Sequence, residues 1–420
     1  MTETFSDRRS LVGLVLGTVV LAALLTWWGG WALPVVIVAV LLMVMGHEFG
    51  HFLTAKRAGM QVTDFFVGFG PVVWATTRGE TRYGVRALPL GGYVKVPGMT
   101  WSAPVDDGLE GRTYRSASYP RKVLFASAGS LMHVVMALVL AFVALTVVGF
   151  PSQSHVGVVA FTEWQGHAKN AAQLAGLKIG DRIVSVDGHT VTNEDALVTI
   201  VHGDTGRRLT LVVERHGHDL TLHATPVDGR TLKADGVPLA VGKKPEGYLG
   251  IELEAQTVRS SVWAAVPASF SQIGATISAA AHAMVHVFSP GEFSSLFHQV
   301  ASPKAAENRT AQLTRPESIV GVVRIAVQGT QSNGFGTLLN ILVILNIFVG
   351  MLNMLPMLPL DGGYVVVATY ERLRSRRGVR YHADVNKLTP LAYAFMSVLL
   401  VLFACTLYLD IAHPIVNPFQ

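Results

Sequence analysis

No charged residue occurs from residue 11 to residue 46, and the run ends in "GHEFGHFLTAKRAG", residues 46–59. At 1.5 Å of rise per residue, about 36 helical residues measure about 54 Å, well beyond a hydrocarbon core of about 30 Å. One span cannot hold them. The stretch "TWWGGWALP" supplies the break. Gly29, Gly30 and Pro34 interrupt a helix, and Trp27, Trp28 and Trp31 suit a membrane interface. The expectation is a tight hairpin of two spans, residues 11–28 and 32–53. A cleaved signal peptide is the rival reading of the first span, because Arg8 and Arg9 precede an apolar stretch. That stretch is long for an h-region, and bulky Trp27 and Trp28 stand where a cleavage site wants small residues, so the span is read as uncleaved.

Further apolar runs cover residues 123–150, 335–360 and 391–409, each long enough to span, which makes about five spans. A chain that is 50% hydrophobic and only 15% charged, with a mean hydropathy of +0.42, fits such a polytopic α-helical membrane protein. The net charge of +5 follows topology and forms no nucleic-acid-like face, so no nucleic-acid partner is expected. The loop of residues 55–122 carries Lys56, Arg57, Arg78, Arg82, Arg86, Lys95, Arg112, Arg115, Arg121 and Lys122. A later connection carries Arg372, Arg374, Arg376, Arg377, Arg380 and Lys387. The positive-inside rule places both, with Arg8 and Arg9, in the cytoplasm. Alternation then puts residues 151–333 and the end of the chain, 410–420, outside. The chain is expected to be a multi-pass protein of the plasma membrane, in contact with the lipid bilayer. Its only cysteine, Cys405, lies in an apolar run and allows no intramolecular disulfide.

The segmentation is a hairpin of spans at 1–54, a cytoplasmic loop at 55–122, a span at 123–150, a domain at 151–256, amphipathic helices at 257–334, and final spans at 335–420. Within the fourth segment, "AAQLAGLKIGDRIVSVDGHTV" reads as a helix ending at Gly176, then Gly180 and Asp181, then a strand over Arg182–Val186. "GRRLTLVVERHGHDLTLHATPV" reads as two strands around a turn at His216 to His218. With the closing "GYLGIEL", this segment resembles an inserted extramembrane PDZ domain of the bacterial type (α+β), about residues 155–254. The resemblance implies strand addition, in which an extended peptide pairs with a sheet edge beside a hydrophobic pocket. A plug that limits access sterically is the plainer alternative.

Residues four apart share a helix face, so His47 and His51 present two imidazoles together with Glu48 beside them. Burying these groups at a span end costs several kcal/mol unless they are paired or metal-bound. The pattern is HExxH, in which imidazoles hold zinc and the glutamate takes a proton from water and delivers it to a leaving amine. A catalytic zinc needs a third protein ligand. The candidate is Asp361 in "NMLPMLPLDGGY", just after an apolar span at the cytoplasmic end, where Pro356 and Pro359 stop the helix and Gly362 and Gly363 allow a tight turn. A helix cap is the alternative for an isolated Asp-Gly-Gly. Agreement in membrane depth with the histidines favours the ligand.

A GHExxH helix, a PDZ-bearing segment and NxxPxxxLDGG near the carboxyl end, in this order, resemble the site-2 protease family of intramembrane zinc metalloproteases over nearly the whole chain. "LPLGGYVKVPG", "RPESIVGVVRIA" and "DVNKLTPLAY" look closest to actinobacterial members that cleave anti-sigma factors. The resemblance implies one catalytic Zn2+ held by His47, His51 and Asp361, Glu48 as acid/base, and Asn353 as a substrate contact. Two departures stand out. In "ASAGSLMHVVMA", Ser130 and His133 occupy positions where the family carries Pro and Asn, and Pro359 falls one position late. His133 can be read as a substitute polar contact, a stray ligand or a hydrogen-bonded core histidine, and the last is favoured. Asn346, seven residues before Asn353, is read as an interhelical hydrogen-bonding residue.

In the cytoplasmic loop, "GPVVWATTRGETRYGVRALPLGGYVKV" alternates like a membrane-associated β-hairpin, residues 72–76 and 83–88, followed by Gly91 and Gly92 and a further short strand. A transmembrane helix hides its peptide bonds in its own hydrogen bonds, so cleavage needs local unwinding, and an edge strand can take over those bonds. Gly91 and Gly92 are therefore candidate substrate-binding positions; an ordinary amphipathic hairpin is the alternative. His282 and His286 in "AHAMVHVF" are also four apart, but no glutamate adjoins the first, and they are read as a surface pair. The expected activity is cleavage of single-span transmembrane protein substrates, trimmed anti-sigma factors foremost, with tethered transcription factors or remnant signal peptides as the runner-up. A non-catalytic PDZ adaptor would have no need of the ionisable cluster in lipid. A metal transporter would show repeated halves, which are not found.

Overall fold

The structure is a computed structural model that describes residues 8–99, 108, 110–162, 164, 169–191, 194–234, 237–238, 244–308, 312, 315–375 and 381–415. Arg376, Arg377 and Arg380 of the basic connection, part of the polar stretch before Ser318 and residues 416–420 lie outside the described residues. Two compact units emerge, Met1–Ala144 with Val262–Gln420, and Leu145–Ser261.

In the first unit, α1 (Arg8–Gly29) and α2 (Ala32–Arg57) are joined by Gly30 and Trp31. Gly30 takes φ +74°, a left-handed conformation that glycine adopts without strain. The long apolar run thus breaks at the expected dipeptide. Among the described residues, four helical stretches are long and apolar enough to cross a membrane: Ala32–Arg57, Tyr119–Val148, Phe335–Asn353 and Val385–Ala412. The described apolar part of α1, Leu16–Gly29, is shorter.

The loop after α2 forms β1 (Asp64–Arg78) and β2 (Thr81–Lys95), which extend beyond the expected hairpin. Each is folded into two pairing segments. Residues 82–85 pair with 64–67 on one side and 74–77 on the other, and 64–67 also pair with 92–95. Gly68 and Gly70, both with positive φ, lie where the register shifts. Such irregularities break the period of two, which is why alternation revealed the distal half and the short strand after Gly92 but not the strand over residues 64–67. Residues 92–95 form the sheet edge nearest α2, where a Cβ on Gly92 would lie 2.6 Å from Met45 Sδ and 3.4 Å from Glu48 Cγ.

Helix α3 (Tyr119–Val143) continues into a π-helical turn, Ala144–Val148. It buries Ala126, Ala128, Gly129, Ala137 and Ala141. Small residues let helix backbones approach closely in lipid. At Gly50 of α2, an added Cβ would meet the Ala128 carbonyl oxygen at 2.5 Å, so α2 and α3 touch backbone to backbone. Then follow α4 (Val262–Val287), α5 (Pro290–Ala301), α6 (Ile319–Asn333), α7 (Phe335–Asn353), α8 (Asp361–Arg374) and α9 (Thr389–Ala412). The apolar run at 335–360 therefore yields a helix that stops at Asn353, because Pro356 and Pro359 cannot continue it. Helix α4 is more than a surface helix: Ile273 and Ala280 join Ala137 and Ala141 of α3 and Val343 and Ile347 of α7 in one buried cluster. The "RPES" stretch is tied to the end of α9. Arg315, with a fully buried side chain, donates to Asp410 Oδ1 at 3.1 Å and to the His413 carbonyl at 3.0 Å, while Ser318 N–H donates to Asp410 Oδ2 at 2.7 Å.

The second unit is a five-strand antiparallel path in the order 251–258, 150–161, 182–186, 209–215 and 218–224, with His189–Thr190 paired to the middle strand. The strand Arg182–Val186 falls where alternation placed it, yet it buries both Ile183 and Val186. A register shift between Ile183 and Ser185 accounts for the lost alternation. The helix expected to end at Gly176 is one turn, Ala171–Leu174, held by a capping box of Asn170 and Gln173. At the His216-Gly217 turn both residues have positive φ, the two-residue geometry that matches strand twist. Asp181 accepts from Arg215 Nε at 2.6 Å and from Lys178 N–H at 2.8 Å, which fixes the bend before the middle strand.

Candidate metal centre

Helix α2 places His47 and His51 one turn apart, and the segment between α7 and α8 brings Asp361 to them from more than 300 residues away in sequence. His47 Nε2 and His51 Nε2 are 3.2 Å apart. Asp361 Oδ2 lies 3.5 Å from the first and 3.3 Å from the second. The three ligand-capable atoms all lie within 4.8 Å of one another.

Local backbone explains how Asp361 arrives there. Residues 354–360 form a compact turn containing a cis Leu358–Pro359 peptide, and Asp361 opens α8. A Cβ on Gly363 would lie 2.6 Å from the Leu358 amide nitrogen, and one on Gly362 would strike the Met354 and Leu355 carbonyl oxygens. Only glycines allow the first turn of α8 to sit on the turn that precedes it. At the helix N-terminus, the macrodipole also favours the carboxylate.

His51 Nδ1 is 2.8 Å from the Phe125 carbonyl oxygen. A carbonyl can only accept, so Nδ1 carries the proton, and in the neutral imidazole Nε2 is then the lone pair, facing His47 and Asp361. Asp361 Oδ2 is buried with no hydrogen-bond partner. Converging lone pairs and a buried carboxylate oxygen repel one another unless a cation lies among them. Two imidazole nitrogens and a carboxylate oxygen, with the second ring nitrogen of His51 anchored on a carbonyl, are the donor set of an open zinc site.

Two positions that the sequence did not mark complete this wall. Gly129 of α3 faces both imidazoles: a Cβ there would lie 2.5 Å from His47 Nδ1 and 2.5 Å from His51 Nε2. The Phe125 carbonyl, one turn earlier on α3, orients His51. A glycine inside the apolar run of residues 123–150 was the available signal for the first, and backbone groups leave none for the second.

The remaining candidates take varied places. Glu48 stands beside Gly92 of the sheet edge, and the Val94 N–H donates to its carboxylate. Gly91 adopts φ +148° beside the Phe69 ring. Asn353 is the half-buried last residue of α7 and makes no side-chain hydrogen bond among the described residues. His133 is fully buried, with Nδ1 2.9 Å from Asn346 Oδ1 and its ring 5.1 Å from that of His47. Asn346 Nδ2 donates to the Leu342 carbonyl, so its Oδ1 accepts from His133. His133 is thus the hydrogen-bonded core histidine of the favoured reading, and Asn346 makes the expected interhelical bond. His282 and His286 are exposed and satisfied apart, by the Ser278 carbonyl and by Glu292.

The second unit has a concavity of its own. A groove of about 500 Å³ runs between helix Glu194–Gly203, which contributes Leu197, Val201 and His202, and the segment of residues 247–252.

Comparison with known proteins agrees with this chemistry. The model of Peptidase family M50 matches residues 35–399. The chain is 32% identical over 404 residues to "Zinc metalloprotease Rip1" of Mycobacterium tuberculosis H37Rv, covering 91% of this chain and 96% of the relative. It is 30% identical over 408 residues to the protein of the same name from Mycolicibacterium smegmatis, covering 90% and 96%.

Proposed function

The chain belongs to Peptidase family M50, the zinc-dependent intramembrane proteases of site-2 type, and on that footing we propose that His47, His51 and Asp361 hold the zinc while Glu48 is the catalytic acid/base. The convergence of His47 Nε2, His51 Nε2 and Asp361 Oδ2 carries this reading. When bound, zinc supplies Lewis acidity for amide hydrolysis. Glu48 takes a proton from the attacking water and passes it to the leaving amine. The lone pair on His51 Nε2 is secured by the Phe125 carbonyl, and Gly129 leaves room for both rings.

Substrates are embedded in the membrane, and a helical substrate must expose a peptide bond before it can be cut. Residues 92–95 offer an edge for an unwound segment, with Gly91 and Gly92 permitting close approach to Glu48 and Asn353 available for the substrate backbone or the developing oxyanion. The position of Gly92 between residues 64–67 and Glu48 supports this assignment.

The finer assignment of substrate is a single-span membrane regulator already trimmed outside, an anti-sigma factor foremost. The second unit is assigned as a PDZ-like domain outside the cytoplasm that receives an extended peptide in its groove; the volume of that groove and the sheet edge beside it support the reading. With α1 counted as a span, five spans place the amino terminus in the cytoplasm of a multi-pass plasma-membrane protein.

Glu48→Gln tests the whole reading. Cells carrying it should accumulate tagged, externally trimmed single-span substrates that the wild type removes; equal processing by both would defeat the proteolytic assignment of Glu48. Zinc content of purified His47→Ala, expected to fall from one equivalent per chain, tests the ligands separately.

A further inference from the structure

One buried ion pair plays no part in the chemistry above. Lys122, in the first turn of α3, donates to Glu371 Oε2 of α8 at 2.8 Å, with side chains only 7% and 14% exposed. Counted in the sequence among the cytoplasmic cations, Lys122 turns out to be an interior residue. Glu371 Oε1 also accepts from the Ala383 N–H at 3.0 Å, just before the chain enters α9. A second bond joins the same two helices, between Tyr119 Oη and Thr369 Oγ1 at 3.4 Å. The Lys122 ammonium lies 5.5 Å from the centre of the Tyr114 ring, and that ring packs on Phe125 and Tyr364.

Both helices in this contact also build the metal centre. α8 starts at Asp361, and α3 supplies the Phe125 carbonyl that orients His51 and the Gly129 backbone that faces both imidazoles. Resting on the reading of His47, His51 and Asp361 as one metal site, we propose that Lys122 and Glu371 are positioning residues, an ionic clamp that sets the spacing between the Asp361 carboxylate and the histidine pair.

The lever arm sets the magnitude. Ten residues separate Glu371 from Asp361, about 15 Å along the helix axis. A tilt of α8 by about 4° at the clamped end then moves Asp361 by about 1 Å, whereas ligand distances tolerate only about 0.2 Å. A buried charge deprived of its partner must seek water or another partner, and α8 would have to move to let it.

Zinc release from the full-length, zinc-loaded protein in detergent, followed with a chromophoric chelator, tests the clamp alongside steady-state cleavage. Lys122→Met and Glu371→Gln are expected to release zinc about tenfold faster or more and to lower kcat by a similar factor with KM little changed. The swap Lys122→Glu with Glu371→Lys is expected to restore release to within about threefold of wild type. Should the single variants fail to fold, Lys122→Arg keeps the charge but lengthens the clamp, and is expected to fold and to release zinc about threefold faster or more. Wild-type release rates in the folded single variants or in Lys122→Arg would overturn the inference, as would a folded swap that releases zinc as fast as the single variants. A wild-type protein that holds no zinc would instead overturn the metal-centre reading, and the inference with it.

Discussion

Gly129 shows how little room the metal centre leaves. A methyl group there meets both imidazoles at once, and neither ring can retreat, because His51 is tied to the Phe125 carbonyl and His47 has the His133 ring behind it. Gly129→Ala is expected to lose most of its zinc and about 100-fold in activity, as for a misplacement of about 1 Å, while remaining helical by circular dichroism. Zinc analysis and cleavage rate on the same sample check it, and a fully loaded, fully active variant would refute the steric argument. Behind His47, the bond between His133 and Asn346 joins residues more than 200 positions apart. Asn346→Leu leaves a buried imidazole N–H without an acceptor and should cost about 1–3 kcal/mol, read from thermal unfolding in detergent. The sequence made the motif residues legible, since HExxH places two imidazoles on one helix face by spacing alone. It could also suggest that His133 and Asn346 are each satisfied. That they satisfy each other depends on how α3 and α7 pack, and no local pattern encodes that.

Helices and strands differed in how plainly the chain announced them. The break at Gly29 and Gly30 and the strand Arg182–Val186 were legible because glycine geometry and apolar spacing act locally. In the sheet that follows α2, the proximal pairing of 64–67 with 92–95 was hidden, because glycine-centred irregularities reset the alternation between one half and the other. That hidden half is the one beside Glu48. Gly92→Val places a branched side chain against Met45, the Phe66 carbonyl and Glu48. It should retain zinc, since none of these groups belongs to the proposed ligand triad, yet lose about 10-fold or more in cleavage by displacing the Glu48 carboxylate. Zinc loss in proportion to activity would point instead to general disruption of α2. Beside the end of α9, burial first and the neighbouring Asp410 carboxylate second raise the Glu317 carboxyl above its ordinary range, with Arg315 opposing. A carboxyl raised in the folded state favours folding while protonated. That contribution is complete below the ordinary value of 4.5 and is lost as pH climbs through the elevated one. The melting temperature of Glu317→Gln relative to wild type should therefore rise between about pH 5 and about pH 8. A difference that stays flat over that range would sink the assignment.

Across the whole molecule, the proposed sidedness of the zinc rests on the basic residues flanking the spans, and the structure shows which of them can act as anchors. Lys122 cannot, being paired inside the protein. Lys56 remains at the end of α2 but is bonded to Glu80 at 2.6 Å, and Arg112 reaches the same carboxylate at 2.7 Å. Arg112 first and Lys56 next hold the Glu80 carboxyl below its ordinary range, so this group stays ionised through neutral pH. The cluster keeps a net positive charge just outside the histidine helix, which favours the cytoplasmic side. The count of spans depends on α1, whose described apolar part is shorter than the four spanning stretches. Cysteine labelling separates the possibilities in a Cys405→Ala background with a membrane-impermeant maleimide. Arg78→Cys lies at the exposed tip of the β1–β2 hairpin and His218→Cys in the exposed turn of the second unit. With five spans, Ser6→Cys and Arg78→Cys should react only after permeabilisation, and His218→Cys in intact cells. If Ser6→Cys reacts in intact cells while Arg78→Cys stays shielded, α1 does not cross and the chain has four spans. If Arg78→Cys itself reacts from outside, the positive-inside placement of the zinc is wrong, and substrates would have to be cut at the other face of the membrane.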